Sequence, residues 1–154
     1  MISKEVLENA LDTHISAHCE QKMTADNLNH CAHFVSHMLG YEFGYQCGNQ
    51  TDQPGEGATI RVQEVFARCP TVGRWNEKPK SLTQCLAFIT QASNVNLTRR
   101  VMTNVPRKHI GIFSDGFIYH YSNTQDKVVK QTPDQFSRHY RGAGYAVFYG
   151  TLIN

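Results

Sequence analysis

Apolar residues in the first third of the chain recur at helical spacing. Leu7, Leu11, Ile15 and His18 fall on one face of a helix predicted over residues 6–18. A polar stretch at 24–27 precedes a second helix. Asn27 or Asn29 is a suitable N-cap for it, and Gly40 a suitable C-cap after Leu39. Residues 44–58 are rich in Gly, Gln, Asn, Asp and Pro and predict a loop. A short helix is expected over 61–69, ending at Pro70, and a loop over 71–80 carrying the only tryptophan, Trp75. The pattern then changes to strands at 85–90, 108–113 and 117–122, with Ser114-Asp115-Gly116 as a turn between the last two. A short strand at 127–130, a helical turn from Thr132 to His139 and a final strand at 144–152 complete the chain. Helices first and an antiparallel meander second predict one α+β domain spanning residues 1–154.

Composition narrows the function classes. With 154 residues the chain is long enough to bury a core without a metal or disulfide staple. A formal charge of +2 gives no argument for nucleic acid as a partner. No apolar run approaches the ~20 residues of a membrane span. The charged N-terminus, Met1-Ile2-Ser3-Lys4-Glu5, lacks the apolar stretch of a signal peptide. The five cysteines, Cys19, Cys31, Cys47, Cys69 and Cys85, are odd in number and contain no CxxC pair, which argues against a disulfide framework or a zinc ribbon.

Cys31 falls one or two residues inside the second helix. Unpaired N–H groups and the helix dipole favour negative charge there, so its thiol pKa is expected to fall. On a helical wheel Phe34, Val35, Met38 and Leu39 cluster around Cys31, while His30, His33 and His37 lie opposite. Those histidines are therefore not expected to serve Cys31. From spacing alone, a nucleophile and a packed core thiol are equal readings of Cys31. His33 and His37 are four apart and could share a metal, but without an HExxH pattern a solvated polar face is expected. No metal and no cofactor is expected. The other four cysteines are read as structural.

A nucleophilic cysteine needs a base, and the base needs an orienting partner. A two-residue turn at Asp115-Gly116 pairs Ser114 with Phe117. His109, Gly111 and Phe113 then share a sheet face with Ile118, His120 and Ser122. His109 and His120 become diagonal neighbours, with Gly111 expected to leave room between them. The hairpin alone does not decide which histidine is the base. Taken singly, each is also an ordinary strand residue.

Three segments carry a resemblance. They are Asn29-His30-Cys31-Ala32-His33-Phe34-Val35, Lys108-His109-Ile110-Gly111-Ile112-Phe113 and Phe117-Ile118-Tyr119-His120-Tyr121-Ser122. Together they resemble the NlpC/P60 family of papain-like cysteine peptidases. The resemblance implies a papain-like fold with N-terminal helices packed on a C-terminal antiparallel sheet. It implies Cys31 as nucleophile, His109 as base and His120 as the orienting residue. The family's usual Asp-Cys-Ser-Gly is here His30-Cys31-Ala32-His33, and residues 91–107 are longer than usual.

The implied activity is amide hydrolysis in peptidoglycan stem peptides. Arg99, Arg100, Arg107 and Lys108 are candidates to meet substrate carboxylates, with Trp75, Tyr41 and Tyr45 as candidate groove residues. A solvated basic surface and core packing are the respective alternatives. The chain also looks like cell-wall amidase effectors that bacteria inject into competitors, which lack a leader. That likeness implies delivery to a periplasm by a specialised secretion system, and an immunity or inhibitor protein as partner. Two other classes of function fit the same residues: acyl transfer or protein deamidation by the same triad, and non-catalytic binding of cell-wall peptides or a protein.

Overall fold

A computed structural model describes residues 1–19, 29–43 and 61–154. The polar stretch at 24–27, the loop expected over 44–58, Tyr45 and Cys47 lie outside the described residues.

The architecture is mixed α+β. Helix α1 (Lys4–Ala10) starts at Ser3, whose side chain accepts from the Val6 N–H. The helix predicted over 6–18 is shorter than expected. It stops at Ala10, Asp12 takes a left-handed φ of 63°, and Ile15–Ala17 forms a separate 3-10 turn. The cause lies far along the chain. The Asp12 N–H donates to the Val128 carbonyl, and the Val128 N–H donates back to Thr13, so the segment lies along a strand.

Helix α2 (Cys31–Leu39) ends as expected on Gly40, at φ 71°. Helix α3 (Val62–Arg68) matches the short helix predicted before Pro70. Within 71–80, read as a loop, the chain forms strand β1 (Val72–Arg74) and a 3-10 turn at Trp75–Glu77. Strand β2 (Gln84–Gln91) is buried along nearly its whole length. Two-residue strands β3 (Val95–Asn96) and β4 (Val101–Met102) pair with each other. The predicted meander follows as β5 (His109–Ser114), β6 (Phe117–Ser122) and β7 (Lys127–Gln131). Helix α4 (Pro133–Ser137), with a Thr132/Gln135 capping box, leads to β8 (Tyr145–Gly150).

The main sheet has six strands in the order β1-β8-β2-β5-β6-β7, and all its pairings are antiparallel. Alternation along the strands gives the sheet two buried faces. On one, Leu86, Phe88, Ile110, Ile112, Tyr119 and Tyr121 pack with α1, α2 and α3. On the other, Cys85, Ala87, Ile89, Phe113 and Ile118 pack with Phe136 of α4 and with Trp75.

Candidate active site

The β5–β6 hairpin has the register expected from its turn. Ser114 pairs with Phe117, Phe113 with Ile118 and Ile112 with Tyr119. His109 and His120 therefore share the α4 face of the sheet, and their rings meet: His109 Nε2 lies 2.8 Å from His120 Nδ1. The space beside Gly111 is filled by its neighbours. A Cβ there would come within 2.6 Å of Ile118 Cγ2 and 3.0 Å of His120 Cβ, so only glycine fits between the two residues.

Two further residues join this pair. Gln131, at the end of β7, places its carboxamide oxygen 2.7 Å from His120 Nε2. His139, just beyond α4, stacks on His109 with ring centroids 4.0 Å apart and planes 8° from parallel. Phe136 packs against both imidazoles. Neither Gln131 nor His139 stood out in the sequence, because each reaches the site from another element.

Burial sets the protonation of the pair. His109 and His120 are 1% and 2% exposed. Burial holds His109 well below the usual histidine pKa, with the neighbouring His120 and His139 acting in the same direction. His120 is lowered to about 4, chiefly by burial and against the opposing bond to Gln131. Both rings are neutral at pH 7. The Gln131 oxygen can only accept, so His120 Nε2 carries that ring's proton and Nδ1 is left as an acceptor. His109 Nε2–H then donates to it, and His109 Nδ1 is the unprotonated nitrogen.

Cys31 is the first residue of α2 and belongs to the core on the opposite face of the sheet. It meets β5 at its first residues. The polar groups around its sulfur are the main-chain N–H groups of Ala32, Ile110 and Cys31, together with the Lys108 charge. The thiol thus abuts the strand residue next to His109, and its hydrogen-bonding neighbours are main-chain groups rather than an imidazole. The expected fall in its pKa does not occur. Cys31 is 1% exposed, and burial outweighs the helix N–H groups, pushing the thiol up to about 11. The Cys31 N–H is already taken by Asn29 Oδ1 at 3.0 Å, and that oxygen also accepts from Asn123 Nδ2. Asn29 thus serves the helix start, although the N-cap position is His30.

The helical wheel holds for Cys31, Phe34 and Val35, which are buried, but not for the opposite face. His30 and His33 are fully buried rather than solvated, and only His37 is exposed. The cause is again tertiary: His30 packs edge-on against Tyr121 of β6, and Cys19 of the N-terminal segment lies beside His33.

Of the basic candidates, Lys108 lies near Cys31 and bonds Asn104, and Arg107 bonds the Tyr145 hydroxyl. Arg100 instead bonds the Pro70 carbonyl. Trp75 stands edge-on to Phe113 and lines a groove of about 410 Å³ with Pro133, Ser137 and Val147. Tyr41 is a core residue whose hydroxyl accepts from the Ile153 N–H. Tyr140 lies close enough to Cys31 that a charge on the sulfur would oppose loss of its own proton.

No family model, curated protein or solved structure matches the chain. The site is therefore argued from its own geometry. Among the described residues no helix is long and apolar enough to cross a membrane.

Proposed function

We propose that the chain is a papain-like cysteine hydrolase that cleaves amide bonds, with peptidoglycan stem peptides as the substrate class. The observation that carries the reading is the relay Gln131–His120–His109, which leaves His109 Nδ1 unprotonated at the start of the strand that Cys31 abuts.

With a neutral imidazole and a neutral thiol at rest, the proton moves as the bond forms. The step requires the Cys31 sulfur, now on the other side of β5 among main-chain groups, to come within reach of His109 Nδ1; that nitrogen then takes the thiol proton while the sulfur attacks the amide carbonyl. The resulting imidazolium gives that proton to the leaving amine, and an acyl thioester remains on Cys31. His109 then takes a proton from water, the hydroxide adds to the thioester carbonyl, and Cys31 regains its proton as the acid departs. His120 and Gln131 orient the base and stabilise its charged form. The Cys31 N–H is the nearest donor for the oxyanion, and its use requires Asn29 Oδ1 to give way. Because Cys31 and His109 are closed to solvent, productive binding displaces their cover, in which His139 and Tyr140 take part.

The test is mass spectrometry of purified peptidoglycan after digestion. Wild-type protein is expected to release stem-peptide fragments, and Cys31→Ala, folded by circular dichroism, to release none. Equal fragment release by both proteins would end the proposal. A transferred acyl group without released peptide would assign the same residues to acyl transfer.

A further inference from the structure

Away from His109 and His120, Cys19, His33 and His37 each present a ligand atom, and these atoms all lie within 4.8 Å of one another. Cys19 follows the 3-10 turn at Ile15–Ala17 and is buried. His33 and His37 stand one turn apart on α2. We propose that these three side chains form a zinc site of the Cys-His-His type.

The two histidines are close to the spacing a tetrahedral ion requires, and the Cys19 sulfur, within 4.8 Å of them, would close in to complete it. Zn–N and Zn–S bonds of about 2.0 and 2.3 Å set ligand atoms roughly 3.3–3.6 Å apart. His33 Nε2 and His37 Nε2 are 2.9 Å apart, so they need open by only about 0.4 Å. The contact between those nitrogens holds one proton, which the ion would replace, as ligand imidazoles bind through an unprotonated nitrogen. A second observation concerns the other side of the ring. His33 Nδ1 lies 3.0 Å from His30 Nδ1, so with Nε2 on the metal the Nδ1–H has an acceptor in place. Metal-bound histidines are commonly oriented by such a partner. A thiolate and two imidazoles make a borderline-soft donor set that suits zinc and excludes the oxygen-seeking magnesium and calcium.

Bound zinc would pin the segment that carries Cys19 to the helix that presents Cys31. Cys31 itself is not a ligand, and the site stands whether or not the hydrolase reading holds.

The experiment titrates the chelator-treated full chain with Co²⁺ and, by competition with a chromophoric chelator, with Zn²⁺. Wild type and Cys31→Ala are expected to bind one ion and to show a sulfur-to-cobalt charge-transfer band in the near ultraviolet. Cys19→Ser is expected to lose the band. His37→Ala, checked for an unchanged fold by circular dichroism, is expected to weaken Zn²⁺ binding by at least tenfold. Zn²⁺ should raise the melting temperature of wild type but not of Cys19→Ser. Absence of the band in wild type, its loss in Cys31→Ala, or equal Zn²⁺ affinity for wild type and His37→Ala would overturn the assignment.

Discussion

The Gln131 carboxamide oxygen, 2.7 Å from His120 Nε2, decides which nitrogen of that imidazole holds its proton. Through the 2.8 Å bond from His109, it also decides which nitrogen of His109 is bare. A glutamine at the end of β7 thereby sets, through His120, the tautomer of the proposed base.

Removing that acceptor tests the relay. Gln131→Leu should lower turnover by roughly 10- to 100-fold, since a base in the wrong tautomer is a poor one. Gln131→Glu, which still accepts from Nε2–H, should retain more activity than the leucine variant. Nitrogen-15 shifts of the wild-type imidazoles check the tautomer without any substrate. Both His109 and His120 should carry their proton on Nε2.

Burial of the thiol gives a second expectation. With Cys31 raised to about 11, its alkylation by iodoacetamide should be slow at pH 7. The rate should climb about tenfold per pH unit up to that value, because only the thiolate reacts. Site-resolved labelling by mass spectrometry reads this directly. A rate that levels off near neutrality would show an ion pair already formed at rest.

Stability should depend on pH in a definite direction. His120 titrates at 6.5 when unfolded and at about 4 when folded, so between these values the unfolded chain binds more protons. Its contribution is complete above pH 6.5, is lost as pH falls towards 4, and amounts to on the order of 3 kcal/mol. Buried His109 shifts in the same direction. Urea unfolding at pH 7 and at pH 4.5 should show a clearly lower midpoint at the acid value, and His120→Asn should reduce the difference.

Gly111 should not tolerate a side chain. A Cβ would meet Ile118 Cγ2 at 2.6 Å and both His120 Cβ and the Tyr119 carbonyl at 3.0 Å. Main chain cannot yield as a flexible side chain does. Gly111→Ala is expected to cost ~1–3 kcal/mol and to part His120 from His109. Denaturant melts and the imidazole shifts report the two effects separately.

What the sequence revealed was what is local. Asp115-Gly116 set the hairpin register and so placed His109 beside His120. Gly40 marked the end of α2, and Pro70 followed the end of α3. Features imposed by distant chain were hidden. The helical period continues past Ala10, yet pairing with Val128 breaks the helix there. His33 has the spacing of a solvated face and is buried, with Cys19 of the N-terminal segment beside it. The helix start lowers a thiol pKa in isolation, but packing against the sheet raises that of Cys31. Gln131 and His139 become partners of the histidine pair only after the strand and helix that carry them have docked.

The bonds between Asp12-Thr13 and Val128 have a consequence for solubility. Strand β7 ends the six-stranded sheet, and an uncovered margin of that kind invites another molecule to add on. Here the chain's own beginning occupies part of that margin, with Lys127 held by Asp12 and Lys130 by Glu8. A version trimmed past Thr13 would leave the outermost ladder open and should self-associate into larger assemblies as its concentration rises.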